Sequence, residues 1–370
     1  MTSPPPAAHP KILLTGATGY IGGTVLTHLL TSPSSPLPPS ATITCLLRDP
    51  SRASLLTSTH GPRVQPALYA GLDDLAATTA LASAHDIAIN TTPGYHPASA
   101  LALVRGLALR KQRTGRRVWM LHTSGTSNLG DRAVSRAWVH GGGQGEIREF
   151  DDVADDVYGF EKMREEGHAY AQRGAELAVV ELGVELGVDT LVVMSPTIYG
   201  VGTGLFNRIS IQIPAYIRCV LENGYAVVAG EGLGRWDHVH VEDLADLYGI
   251  LVREVVKDGG VALPSGKKGI VFSANGRHSW LEVAQGAADA CYEAGKTRER
   301  RVEKVTLAEA AEKLSSYLGQ VDETNVEIGL SSSSLTVSSV ARALGWRPAR
   351  GDEAWRRGFC DDLRMLLDKT

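Results

Sequence analysis

Short apolar runs alternate with longer amphipathic stretches along the first half of the chain. The apolar runs are Lys11 to Leu14, Ala41 to Leu47, Asp86 to Asn90 (DIAIN), Val118 to Leu121 (VWML) and Thr190 to Met194 (TLVVM). Runs this short, bounded by turn residues, predict strands buried on both faces. Between them, Tyr20 to Leu30 places Ile21, Val25 and Leu29 on one face, as a helix does. Ala98 to Lys111 and Phe160 to Leu186 read as helices before VWML and TLVVM. Strands alternating with helices predict an α/β fold, a doubly wound parallel sheet covered on both faces. The pattern holds from about residue 11 to residue 200.

Beyond Gly200 the pattern changes. Gly202 to Arg208 and Gly230 to Arg235 read as loops, as do the Ser/Pro-rich Thr31 to Ser40 and the serines Ser331 to Ser334. Ile209 to Asn223 reads as a helix, and Val239 to Arg253 as a short strand followed by a helix from Glu242 or Asp243. The remainder reads as mostly helical. The expected organisation is a flexible tail over 1–9 and an α/β domain over 10–200, to which 235–253 returns. Residues 201–234 and 254–370 then form a smaller, mostly helical part.

Composition narrows the function classes. A net charge of −4 offers no basic field for nucleic acid and no polybasic patch for a membrane. Cys45, Cys219, Cys291 and Cys360 are scattered without a CxxC pair, so neither a disulfide framework nor a metal site is expected. Met1 to His9 lacks a basic start and an apolar stretch, unlike a signal peptide. The best apolar span, Leu177 to Val188, carries Glu181 and Glu185. The expected location is cytoplasmic.

The strongest local motif is Thr15-Gly16-Ala17-Thr18-Gly19-Tyr20-Ile21-Gly22-Gly23, which follows a strand and opens a helix. That context is what a dinucleotide site requires. Gly16 permits the tight turn, Gly19 lets the backbone approach a pyrophosphate, and Gly22 allows close helix–strand packing. The helix start then offers N–H groups and a positive dipole end to phosphates. The spacing is GxxGxxG rather than GxGxxG. A Rossmann-type domain is expected, with Gly16, Thr18, Gly19, Tyr20 and Ile21 at the cofactor. Asn90-Thr91-Thr92 ends the DIAIN strand, so Thr91 and Thr92 should line the same cleft. Asp73 or Asp74 is a candidate for the adenine end. The second strand ends Leu47-Arg48-Asp49. Arg48, helped by Arg52, suits a 2′-phosphate, whereas Asp49 would suit a bare ribose. The cofactor expected is NADP, with NAD second.

These residues resemble the extended branch of the short-chain dehydrogenase/reductase superfamily, the NAD-dependent epimerase/dehydratase-like proteins, in an atypical form of the kind found in fungi. The resemblance rests on TGATGYIGG, on VWMLHTSG with Ser124, and on Met194-Ser195-Pro196-Thr197-Ile198-Tyr199-Gly200. It extends through Trp236 to Ala245 and to the ending Ala343-Leu344-Gly345-Trp346-Arg347-Pro348. It implies that Pro196 and Ile198 border the cofactor and that the helical C-terminal part binds substrate. It also implies a tyrosine that exchanges a proton with the substrate oxygen, a lysine four residues later, and a serine on the same oxygen.

Ser124 fits the serine position, with Thr123 beside it. Counting back from Pro196 points to Tyr170, but Gly174 stands where the lysine belongs and Arg173 lies one residue early. The literal YxxxK that lies ahead of Pro196 is Tyr158 with Lys162, among Glu161, Glu165 and Glu166. Three readings stay open: Tyr170 with an altered cation, Tyr158 with Lys162, or a site without the tyrosine role. His238 reads as a substrate contact or a structural histidine beside His240, and Asn207 and Arg208 as a substrate mouth or a surface loop. His122, Trp119, Trp280 and Trp346 read as core.

The function expected is an NADP-dependent oxidoreductase acting on a carbonyl or alcohol of a small molecule, free or as a homo-oligomer. The alternatives are a non-catalytic redox sensor, resembling the NmrA-like proteins, and a nucleotide-sugar epimerase or dehydratase.

Overall fold

The apolar runs become the strands of one parallel sheet, and the amphipathic stretches become the helices that cover it. The computed structural model describes residues 10–140, 147–317 and 319–368; the tail expected over 1–9 lies outside them. The chain runs β1 (Ile12–Thr15), α1 (Tyr20–Thr31), β2 (Ile43–Leu47), α2 (Pro50–His60), β3 (Val64–Leu68), α3 (Leu75–Ala82), β4 (Ile87–Asn90), α4 (Pro97–Thr114) and β5 (Trp119–Gly125). It continues through β6 (Glu149–Asp151), α5 (Val157–Gly167), α6 (Ala171–Leu186), β7 (Asp189–Ser195), β8 (Thr197–Tyr199), α7 (Gln212–Asn223), β9 (Ala226–Ala229), β10 (Arg235–His240) and α8 (Val241–Asp258). The C-terminal part holds β11 (Ile270–Phe272), β12 (Gly276–Ser279), α9 (Trp280–Glu293), β13 (Val302–Val305), α10 (Leu307–Lys313), α11 (Glu323–Leu330), β14 (Leu335–Val337), α12 (Ser339–Ala343) and α13 (Asp352–Leu367).

The large sheet has the order β11-β7-β5-β4-β1-β2-β3, with every pairing parallel. The chain winds from β1 outward to β3, then returns to β4 and winds the other way. A crevice therefore opens between β1 and β4, beyond the carboxyl ends of the strands, where ligands of such sheets bind. Thr15 pairs with Asn90, Asn90 with His122, and Gly125 with Ser195, so these strand ends stand side by side.

Four apolar clusters hold the described residues together, one of them around Phe150, Phe160 and Phe272. Val25 and Leu29 of α1 and Leu247 and Leu251 of α8 pack on one sheet face with Leu14 and Ile89. Leu103 and Leu107 of α4 and Val179 of α6 pack with Leu13 and Met120 on the other. Ile213, Ile217, Val283, Ala287 and Phe359 form a separate core among α7, α9 and α13. Local chemistry sets the helix ends. Ser279 and Glu282 form a capping box on α9, while Gly115 and Gly259 close α4 and α8 in left-handed geometry. The indole of Trp346 donates to Asp243 O at 2.7 Å, tying the C-terminal motif to the start of α8.

Two expectations are corrected. The helix read over Phe160 to Leu186 is two helices, because α5 ends at Gly167 and α6 starts at Ala171. The break is held by Arg173 Nη1 donating to His168 O (2.8 Å) and Tyr170 N donating to Glu165 Oε2 (3.1 Å). The part assigned to 254–370 also contributes to the large sheet: Ile270–Phe272 pairs with Val192–Met194 as its edge strand. Residues 276–337 of that part further hold the short strands β12, β13 and β14, too brief and too polar to show alternation. Among the described residues no helix is long and apolar enough to cross a membrane, and no group of His, Cys, Asp and Glu is arranged to hold a metal.

Candidate cofactor and substrate site

The Gly-rich turn is built so that each glycine has a different neighbour. Gly16 has φ +77°, and a Cβ there would come within 2.5 Å of Thr91 Oγ1. A Cβ on Gly22 would lie 2.3 Å from Gly16 O, so α1 can approach the turn only without one. A Cβ on Gly19 would meet only Gly16 O, at 3.1 Å, leaving its outer side open. Gly19 is the N-cap of α1 and no side chain caps that end. The first-turn N–H groups therefore face the crevice with nothing of the chain's own to bind, as a pyrophosphate requires. The residues present fit a dinucleotide.

The remaining cofactor candidates fall around this turn. Thr91 Oγ1 donates to Thr15 O (2.7 Å) and Thr92 Oγ1 to Asn90 Oδ1 (2.6 Å), locking the β4 end against β1. Thr91, Thr92, Tyr20, Ile21, Pro196 and Ile198 all line the cleft. The Tyr20 ring is buried and its hydroxyl donates to Gly200 O at 2.5 Å, so only the backbone of Tyr20 is free for a ligand. Thr18 O accepts from Asn207 N at 3.4 Å, joining the turn to the loop after β8. Arg48 stands exposed just past the β2 end and makes no ion pair among the described residues. Asp49 is committed elsewhere: it caps α2, accepting from Ser51 N (2.8 Å) and Ser51 Oγ (2.7 Å), and lies 3.5 Å from Arg52. Asp74 caps α3 and Asp73 meets His96 at 3.2 Å.

The two candidate tyrosines differ in position. Tyr158 and Lys162 lie on α5, outside the cleft, and both donate to Glu181, at 3.0 and 2.8 Å. The literal YxxxK is a surface cluster, not the cleft pair. Tyr170 is the N-cap of α6 and its phenol lines the cleft, donating to Ser127 Oγ at 3.3 Å. Gln172 Nε2 reaches the same Ser127 Oγ at 3.3 Å and Gly125 O at 3.3 Å.

Ser124 also lines the cleft, but its Oγ accepts from Asn128 Nδ2 at 3.3 Å. The hydroxyl that meets Tyr170 therefore belongs to Ser127, which the strand motif alone did not mark. The only available signal was the run Ser124-Gly125-Thr126-Ser127 turning past the strand end.

The cation beside Tyr170 is buried. Arg173 is 1% exposed; it donates to Asn128 O (3.0 Å) and pairs with Glu165 (3.1 Å), with its guanidinium 5.7 Å from the Tyr170 ring centre. Burial raises the Tyr170 pKa, and Arg173 and Ser127 only temper that rise. Gly174, in the lysine's place, faces Glu165: a Cβ there would lie 3.0 Å from Glu165 Oε1.

Behind Ser124 lies a buried polar group. Asn128 Nδ2 donates to Glu176 Oε2 at 2.7 Å, and Glu161 and Glu176 are fully buried. Burial and the facing Glu176 carboxylate hold the Glu161 carboxyl protonated. Burial pushes Glu176 up to about 7 against hydrogen bonds from Ser124, Glu161 and Asn128.

Other candidates fall outside the cleft. His238 stacks on Trp355 (3.9 Å, 3°) and sits 3.2 Å from His278, inside the core around α13. His240 caps α8 by accepting from Glu242 N. His122 is buried against Asn90 at 3.0 Å, and burial lowers it to about 4. Trp119, Trp280 and Trp346 are fully buried. Asn207 lines the cleft, whereas Arg208 donates to Gly202 O at 2.7 Å and does not. The cleft, about 430 Å³, also takes in Tyr95, Ser210, Gln212, Trp236 and Tyr317, none of which the sequence had singled out.

Sheet order, turn and cleft together define a Rossmann-type dinucleotide-binding protein of oxidoreductase type. The model of the NAD dependent epimerase/dehydratase family matches residues 148–261. Oxidase ucsJ from Acremonium sp is 33% identical over 311 residues, covering 81% of this chain and 84% of its own. The chain belongs to the NAD dependent epimerase/dehydratase family.

Solved structures with the same fold include a dTDP-glucose 4,6-dehydratase from Streptomyces venezuelae with NAD and DAU bound. Its TM-score is 0.65 at 14% identity, covering 97% of each chain. A UDP-glucose 4-epimerase from Stenotrophomonas maltophila, with NAD and formylated UDP-arabinopyranose, has a TM-score of 0.63 at 16% identity, covering 98% of this chain and 100% of its own.

Proposed function

We propose that the protein is an NADP-dependent oxidoreductase that reduces a carbonyl of a small molecule, with Tyr170 as proton donor and Ser127 orienting the same oxygen. The observation that carries this reading is the Tyr170 phenol 3.3 Å from Ser127 Oγ in the cleft beyond the Gly-rich turn. A bound nicotinamide supplies the hydride. The chain's part is to hold the substrate oxygen between two hydroxyls and to give it a proton as negative charge develops. Burial keeps the phenol in its protonated form, the form in which carbonyl reduction uses it. Ser124 serves as a positioning residue, joining Asn128 and Glu176 to the cleft wall.

NADP is preferred to NAD because Arg48 is unpaired while Asp49 is occupied as a cap. Among the described residues the lining holds no Asp, Glu, Lys, Arg or His, which speaks against the nucleotide-sugar alternative. The glycine at 174 is the one feature that favours the sensor reading.

The test is NADPH consumption against a carbonyl panel, with Tyr170→Phe, Ser127→Ala and Tyr158→Phe beside wild type. Tyr170→Phe should lower kcat by about 100-fold or more, the usual range for a lost general acid. Tyr158→Phe should change nothing. Tight NADPH binding with no turnover of any carbonyl would replace the enzyme by the sensor.

A further inference from the structure

The residues around the cleft carry two kinds of chemistry and lack a third. Aromatic rings of Tyr95, Tyr170, Trp236 and Tyr317 supply flat, polarisable walls, with Ile209 and Ile211 between them. Hydroxyl and amide groups supply the polarity. Among the described residues, no acidic or basic side chain lines the cleft. A phosphorylated or carboxylated substrate would leave water for a site with no counter-charge, at a cost that fixed amides and hydroxyls do not offset. The α1 start, whose N–H groups can hold a diphosphate, belongs to the cofactor, so a second diphosphate would need arginine or lysine forks.

Two of the hydroxyls are unfinished. Ser210 (7% exposed) and Thr126 (0% exposed) are both among the cleft residues, and neither Ser210 Oγ nor Thr126 Oγ1 has a hydrogen-bond partner among the described residues. Buried hydroxyls are nearly always satisfied. The Tyr170 and Ser127 hydroxyls, by contrast, already meet each other. We propose that the cleft takes a neutral aromatic ketone or alcohol bearing a second oxygen, the reacting oxygen lying on Tyr170 and Ser127 and the second on Ser210 and Thr126. The proposal rests on the oxidoreductase reading, and its test is chosen to fail separately.

Binding is measured by calorimetry on the NADP-saturated Tyr170→Phe protein, in which chemistry is suppressed. The probes are α-tetralone, its ring-hydroxylated isomers, a ring-carboxylated tetralone and UDP-glucose. At least one hydroxytetralone should bind about five-fold tighter than α-tetralone, the effect of one added neutral hydrogen bond. The carboxylated compound should bind at least about ten-fold more weakly than α-tetralone, and UDP-glucose should give no heat. Ser210→Ala should erase the hydroxyl advantage and leave α-tetralone binding unchanged. Gln172→Lys, which brings a cation to the wall, should raise affinity for the carboxylated compound.

UDP-glucose or the carboxylated tetralone binding as tightly as α-tetralone would overturn the inference. So would equal affinity for all the hydroxylated isomers and α-tetralone, or no binding of any neutral ketone to protein that still binds NADP. Binding as expected, without wild-type turnover, would sink the oxidoreductase reading and leave the ligand class standing. Turnover of charged carbonyls alone would do the reverse.

Discussion

Replacing Glu176 by glutamine should stabilise the protein at alkaline pH and not at acid pH. Glu176 is fully buried against Glu161, and burial lifts it from an ordinary 4.5 to about 7. A carboxyl whose pKa rises on folding helps the folded state while protonated. That help is complete below about pH 4.5, is lost as pH rises towards 7, and is absent above it. At about 1.4 kcal/mol per pH unit, the change from 4.5 to about 7 is worth about 3 kcal/mol between the two limits. Glutamine keeps the shape and can accept from Asn128 without ever ionising, and Arg173 keeps Glu165, Asn128 O and His168 O as partners. Urea unfolding of wild type and Glu176→Gln at pH 5, 7 and 8.5 measures the difference. The variant should match wild type near pH 5 and exceed it by about 2–3 kcal/mol at pH 8.5. A variant less stable at every pH, or an offset that does not change with pH, would refute the reasoning.

Gly19→Ala should leave the fold intact, since its Cβ meets only Gly16 O at 3.1 Å, but should weaken NADPH binding in calorimetry. Gly22→Ala, with its Cβ 2.3 Å from Gly16 O, should lower the unfolding midpoint as well. Arg48→Ala should raise the Kd for NADPH by about 10- to 100-fold, the worth of a charge-assisted bond to phosphate, while the Kd for NADH stays the same. Gly174→Lys restores a literal YxxxK after Tyr170, yet its side chain starts 3.0 Å from Glu165 Oε1 and should pair there. Alcohol oxidation measured across pH should therefore gain no new neutral-pH optimum.

The fold was readable because its strands are continuous apolar runs and its first turn has no tolerance for side chains. The β1–turn–α1 unit, the strand ends at Asn90 and Ser195, and the α8 start all follow from local pattern. What escaped reading was set by distant contacts. The break before α6 depends on Arg173 and Glu165 reaching across it, and no proline marks it. Ile270–Phe272 is three residues long and becomes a sheet strand only because β7 is beside it. The strand motif marked Ser124, and Ser127 was not singled out because it lies in the turn beyond the strand end. The turn after Gly125 then carries Ser127, and not Ser124, to the phenol. The uncharged wall of the cleft combines residues from 20 to 317 and has no sequence signature.

The missing lysine and the direction of the chemistry are one question. A cation facing a tyrosine from the same helix lets the phenol ionise near neutral pH, which an enzyme that oxidises alcohols needs in order to accept a proton. Here the nearest argued cation, Arg173, spends its charge on Glu165 and on two backbone carbonyls, and burial still leaves the Tyr170 pKa raised. A phenol in that state carries its proton at neutral pH and supplies little of the phenolate that alcohol oxidation would need as base. Carbonyl reduction asks only for the proton. The same uncharged wall that denies Tyr170 a cation also denies a phosphorylated substrate its partner. On the proposed reading, a neutral carbonyl substrate and a phenol without a lysine partner both suit a cleft whose described lining carries no charged side chain.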